Sequence, residues 1–275
     1  MLVIIRGAGD IASGIALRLY RAGMRLVLTD LPVPTAVRRT VCFSEAIRLG
    51  EVQVEGITGR LAHSAQEALE WTKQGIIPVL ADPEGKCIEE LKPDAVVDAI
   101  LAKKNLGTHM GMAPAVVAVG PGFTAGVDCH AAVETMRGHT LGRVLYTGSP
   151  IPNTGVPGNI GGYTVERVLR APASGIFKPF LEIGAMVKAG DIAAMVGETP
   201  MYCTIDGCLR GLLQEGIEVF EGMKSGDIDP RCKPDHCLCA SDKALAVGGG
   251  VLEALLHLQY LGGVIGTEVI YQFIS

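Results

Sequence analysis

The chain has 275 residues, 48% hydrophobic and 19% charged, with 36 glycines and a net charge of −5. That length favours two domains over one core, and the composition is that of a well-buried, turn-rich globular protein rather than a disordered or coiled one. The acidic balance and the 5% aromatic content argue against nucleic acid or an anionic membrane as partner, and no run approaches the roughly 18–20 apolar residues that span a bilayer.

Residues 2–5 form an apolar stretch that stops at Arg6, which reads as a buried strand and not as a signal peptide. It enters the turn Gly7-Ala8-Gly9-Asp10-Ile11 and then a helix carrying Ile15, Leu17 and Leu19; a second strand over 25–29 ends at Asp30. A strand, glycine turn, helix and strand with an acidic residue about 20 positions on is the dinucleotide pattern. Gly7 allows a tight turn, Gly9 lets a pyrophosphate approach the helix N-terminus beside Ile11, and Asp30 is placed to accept ribose hydroxyls. Asp10 at the mouth repels a phosphate unless it turns to cap the helix, and Arg6 offsets it. The competing reading is that the glycines only let helix and sheet pack closely.

The pattern predicts a helix over 36–49, an extended segment over 52–55, a helix over 64–73 capped by Ser64, and strands over 76–80, 95–101 and 114–119. Strands alternating with helices predict a Rossmann-like parallel sheet with ligands at the carboxyl ends of its strands. A second glycine loop, Gly120-Pro121-Gly122, falls at such an end. In 127–134 the alternation puts Asp128, His130 and Glu134 on one face of a strand, and in a helix His130 and Glu134 are still neighbours four apart, a set suited to acid–base work or to a metal, or to a structural hydrogen-bonded pair. The Pro- and Gly-dense stretch 147–158 marks a domain boundary.

Gly175, Gly184, Val187 and Gly190 recur as Gly207, Gly216, Val219 and Gly222, an offset of 32 positions. Self-similarity over so short a span means two copies of one small β unit that interlock as two sheets. The pattern resembles the biotinyl/lipoyl barrel-sandwich domain, but the connecting stretch 196–203 contains no lysine to carry a prosthetic group. Further on, Cys232, Cys237 and Cys239 with His236 could ligate zinc or a soft metal, although their spacing fits no standard site and ordinary reduced thiols are the alternative. Eight cysteines without a secretion signal imply a reducing, cytoplasmic setting. A helix from about Ser241 to Tyr260 contains Gly248-Gly249-Gly250, tolerable where another backbone packs closely, and its leucines suit a return onto the first sheet. The expected organisation is a nucleotide-binding domain over 1–150, a barrel-sandwich domain over 151–230 and a C-terminal helical segment over 231–275.

Taken together, the stretches 7–14, 18–23, 34–40, 120–123, 137–139, 152–155, 170–172 and 209–213 resemble the YqeB-type accessory proteins of selenium-dependent molybdenum hydroxylases. The resemblance implies a maturation factor whose partner is such a hydroxylase and whose ligand is NAD(P) or a molybdopterin nucleotide. It carries over no catalytic residues, and the cysteine cluster stands apart from it. An NAD(P)-dependent oxidoreductase and a non-catalytic, nucleotide-stabilised interaction module are the alternatives. Whether a reaction is catalysed, and whether the protein is a homo-oligomer, the sequence leaves open.

Overall fold

A computed structural model of the chain describes residues 1–264, with side chains through 260. The first half contains, in order, β1 (Leu2–Arg6), α1 (Asp10–Arg21), β2 (Arg25–Thr29), α2 (Glu45–Leu49), β3 (Glu51–Val54), β4 (Ile57–Ala62), α3 (Ala65–Lys73), β5 (Ile77–Leu80), α4 (Cys87–Leu91), β6 (Ala95–Asp98), β7 (Ala115–Val119), β8 (Ala131–Val133) and β9 (Val144–Leu145). Their strands make one nine-stranded sheet in the order β3-β4-β5-β2-β1-β6-β7-β8-β9. Near-continuous apolar strands are what a sheet covered on both faces requires. Val3, Ile5, Val97 and Val117 are buried on one face; Leu2, Ile4, Val96 and Val116 are buried on the other, with residues of α3 and α4. Ser64 caps α3 as expected, its hydroxyl accepting from Glu67 N–H.

The expected Rossmann-like sheet is corrected by this topology. The sheet is mixed: β3 runs antiparallel to β4, and β9 antiparallel to β8. Glu55 and Gly56, both at positive φ, turn β3 back on β4, so that edge is a hairpin and not a crossover. On the other half, the connections from β6 to β7 and from β7 to β8 contain turns and one 3-10 turn but no α-helix. The second helical layer of a doubly wound fold is therefore missing there. Its place is taken by α5 (Asp242–Val264), from the far end of the chain. Helices α1 and α5 meet backbone to backbone: a Cβ on Gly14 would lie 2.5 Å from the Ala244 Cβ, and one on Gly248 would lie 2.9 Å from the Gly14 carbonyl oxygen. The part of the C-terminal segment beyond residue 264 lies outside the described residues.

The second half is built from β10 (Val168–Arg170), β11 (Gly175–Pro179), β12 (Met186–Val187), β13 (Ile192–Val196), β14 (Thr199–Tyr202), β15 (Gly207–Leu212), β16 (Glu218–Val219) and β17 (Lys224–Asp229). The two copies of the repeat exchange partners, Gly175 pairing with Val219 and Val187 with Gly207. The expectation of a biotinyl/lipoyl-like barrel is corrected as well. The strands form two four-stranded antiparallel sheets, β10-β17-β15-β12 and β14-β13-β11-β16. Strands β10 and β14 come from outside the repeat units, one preceding them and one from the stretch between them. Phe177, Val196, Leu209, Leu212 and Ile228 fill the space between the sheets.

The expected helix over 36–49 is only partly present, with a 3-10 turn at Arg39–Val41 before α2. The physical reason is a competing partner. The Val37 carbonyl accepts from Leu212 N–H, the Pro34 carbonyl accepts from the Gln214 side chain, and Arg39 Nε donates to the Leu212 carbonyl. The segment thus leaves the first sheet as a strap across β15, whose Gly211 has no room for a Cβ beneath Val37.

Candidate functional site

Between the carboxyl ends of the first sheet and the wall formed by β10, β15 and β17 lies a cavity of about 960 Å³. Eight basic side chains line it, Arg38, Lys103, Arg137, Arg167, Arg170, Arg210, Lys224 and Lys243, against two carboxylates, Asp10 and Asp227. In a chain of net charge −5 this is a local inversion of sign. Both carboxylates are already engaged. Asp10 accepts from Arg38 at 2.9 Å, and Asp227 accepts from Arg167 at 2.6 Å and from Arg210 Nε at 2.7 Å. Among the described residues Lys103, Arg170, Lys224 and Lys243 have no carboxylate within ion-pair distance.

Lys224 is exposed by area because it faces the open cavity, yet protein crowds it. Burial, with the nearby Arg167 and Arg210 charges, lowers its pKa from the ordinary lysine value. Lys243 is lowered for the same first reason, with Arg137 and Lys224 adding to it. Arg38, 6% exposed, holds Asp10 with one terminal nitrogen and the carbonyls of His236 and Cys239 with the other, and its Nε has no partner. It therefore ties the first turn of α1 to the segment that carries the cysteines.

The glycine loop lies at the edge of this cavity, but not as a dinucleotide cradle. The Asp30 carboxylate is taken up internally, accepting from Ala8 N–H at 2.8 Å and Leu31 N–H at 2.7 Å. Burial raises its pKa against the pull of those two amides. The residue that the NAD(P) reading needs free for a ribose is instead part of the loop's own scaffold. Gly7, at φ 105°, is required by close approach: a Cβ there would lie 2.7 Å from the Ala99 carbonyl oxygen. Gly9 precedes α1 without a side-chain cap, which leaves the first amides of the helix to the cavity, where Asp10 and Ile11 are lining residues. Gly120 and Gly122 have positive φ and no room for a Cβ, against Thr135 and the Lys104 backbone, and Pro121 between them lines the cavity.

The structure does not bring Asp128, His130 and Glu134 together. Asp128 caps a turn at Thr124 and accepts from Asn105. His130 Nδ1 accepts from Val116 N–H, and burial lowers its pKa. Glu134, 3% exposed, accepts from the amides of Thr135, Met136 and Ile151. His130 and Glu134 flank β8 at opposite ends, and the carboxylate's work is to gather backbone amides. Cys232 and Cys239 are exposed while Cys237 is buried with its Sγ 3.6 Å from Cys208 Sγ. Among the described residues no three His, Cys, Asp or Glu side chains are grouped to hold a metal ion. No helix among them is long and apolar enough to cross a membrane.

Sequence reasoning missed Arg167, Lys224, Asp227 and Lys243. It had a signal for others: the stretches carrying the YqeB-type resemblance supply Arg38, Arg137, Asn153, Arg170 and Arg210 to this one cavity.

No protein-family model matches the chain. Its sequence is 54% identical over 269 residues to the uncharacterized protein YqeB of Escherichia coli, covering 98% of this chain and 50% of that protein. The likeness to YqeB therefore runs through nearly the whole of this chain. The chain spans about half the length of this YqeB relative, and the match says nothing of hydroxylase maturation. Among solved structures, an aspartoacylase family protein of Mesorhizobium loti is similar at 12% identity and a TM-score of 0.26, over 82% of this chain and 84% of that one. A succinylglutamate desuccinylase/aspartoacylase of Rhodobacter sphaeroides is similar at 14% identity and 0.27, over the same shares. Scores so low carry no argument about the fold or the site.

Proposed function

We propose that this YqeB-type chain is an accessory factor in the maturation of a selenium-dependent molybdenum hydroxylase, and that its part is to hold a phosphate-bearing ligand, the molybdenum–pterin cofactor, in the basic cavity. The observation that carries the reading is the convergence of eight cations on one open cavity, four of them without a carboxylate partner among the described residues. Like charges gathered on one surface repel one another and raise the local potential, which favours an anion that neutralises them. A volume of about 960 Å³ is at the upper end for a small-molecule site. The cofactor's phosphate suits guanidinium and ammonium groups, and either Arg38 with Lys243 or Lys224 with Arg210 would hold it. The maturation role rests on the resemblance to the YqeB type.

The test has two arms. Isolated molybdenum–pterin cofactor is titrated into the protein by calorimetry, with Lys224→Met and Arg210→Met alongside. Separately, cofactor-free hydroxylase is reconstituted with and without the chain. Binding that each variant weakens at least tenfold, together with faster activation, supports the reading. Equal activation without the chain, or cofactor that does not bind, removes it.

A further inference from the structure

The cavity's cations stand on two facing walls. One wall belongs to the first sheet: the opening turn of α1, Arg38 and Lys243. The other belongs to the second half: Arg167 and Arg210, with Lys224 at the start of β17. Each wall has one cavity-lining carboxylate, Asp10 or Asp227, each held by arginine of its own wall, and behind the second wall Asp229 stands 3.6 Å from Arg210 and is itself held by Arg231. Each wall therefore keeps its own surplus of positive charge. The space between has room for roughly thirty waters at about 30 Å³ each, far more than one phosphate group occupies.

Building on the anion-binding reading above, we propose that the ligand is an elongated small molecule with an anionic group at each end. A phosphate sits on the sheet wall, at the uncapped first turn of α1 between Arg38 and Lys243. A second phosphate or a carboxylate sits on Lys224 and the Arg167–Arg210 pair. The two ends act as one chelating ligand, so the second contact forms at high effective concentration, and occupancy joins the two halves of the chain.

The experiment uses inorganic phosphate, alkanediol monophosphates and the matching α,ω-bisphosphates of three to eight carbons, titrated by calorimetry into the whole chain. The bisphosphates bind at least tenfold more tightly than the monophosphates, with affinity peaking at one chain length. Lys224→Met brings that ratio below threefold, while Lys224→Arg keeps it; circular dichroism checks that both variants are folded. Monophosphates that bind as tightly as every bisphosphate overturn the two-ended ligand and leave the anion-binding reading standing. No binding of any phosphate overturns both.

Discussion

Replacing Asp227 by Asn tests whether the wall of β10, β15 and β17 is held by charge. The carboxylate is 1% exposed and accepts from both Arg167 and Arg210, which are themselves buried. Asn keeps the shape and one acceptor oxygen, so one guanidinium retains a neutral partner and the other loses its own. Removing one member of a buried ion pair costs about 3–5 kcal/mol. The retained acceptor, and Asp229 at 3.6 Å from Arg210, place the expectation at the low end, about 3 kcal/mol. With a urea slope of about 2–3 kcal/mol per molar, the unfolding midpoint falls by about 1 M or more. Urea unfolding followed by far-ultraviolet circular dichroism measures it, in chloride and in phosphate buffer. Phosphate should restore more stability to Asp227→Asn than to the parent, because an anion in the cavity can take the place of the lost carboxylate. A midpoint within about 0.3 M of the parent in chloride refutes the reasoning, since the guanidinium groups would then need no buried counter-charge.

Other consequences are as direct. Gly14→Ala drives a methyl into Ala244 and should lower stability by about 1–3 kcal/mol, whereas Gly249→Ala, with open space at its Cβ, should raise it by about 1 kcal/mol; thermal unfolding of the two variants gives the signs. Lys224 and Lys243 have folded pKa values below the ordinary lysine value. Between the two values the unfolded chain binds more protons, so this contribution to stability rises with pH across that window. The double variant Lys224→Met, Lys243→Met should therefore lose part of the upward slope on the acid side of the ordinary lysine pKa, and an unchanged difference curve contradicts the assignment. Of the cysteines, Cys232 and Cys239 are exposed and six are buried, with burial pushing Cys208 up to about 12. A native thiol titration with an aromatic disulfide should show two fast groups, and the remaining six only in denaturant.

Much of the fold was legible because its signals are local. The strands β1, β2, β5 and β7 are short apolar runs, Ser64 announces a helix start, and the 32-residue repeat shows that two β units pair with each other. The errors arise where a distant partner decides. Nothing local in 36–49 announces that the Val37 carbonyl is taken by Leu212, which ends a helix that the apolar pattern supports. Asp30 occupies the sequence position of a ribose acceptor, but its carboxylate turns inward onto Ala8, a choice that spacing does not reveal. The cavity was the least legible feature. Its cations are scattered from Arg38 to Lys243, and only the three-dimensional return of the second half and of α5 makes them neighbours.

The strap has a consequence for how the molecule comes to be. Arg39 and Leu212 are separated by 173 positions, and Gln214 and Pro34 by 180. During synthesis all nine strands of the first sheet emerge before β15, so the strap must wait without its partner. Contacts this far apart in sequence form late and slow the overall rate. Because α5, which covers one face of the first sheet, also follows β15 in the chain, the joining of the halves and the closing of α5 over that sheet are both late steps, and the basic cavity comes into being only with them. A ligand that touches both walls would favour the docked form over its precursor, and the supply of ligand would set how much of the newly made chain reaches its finished state.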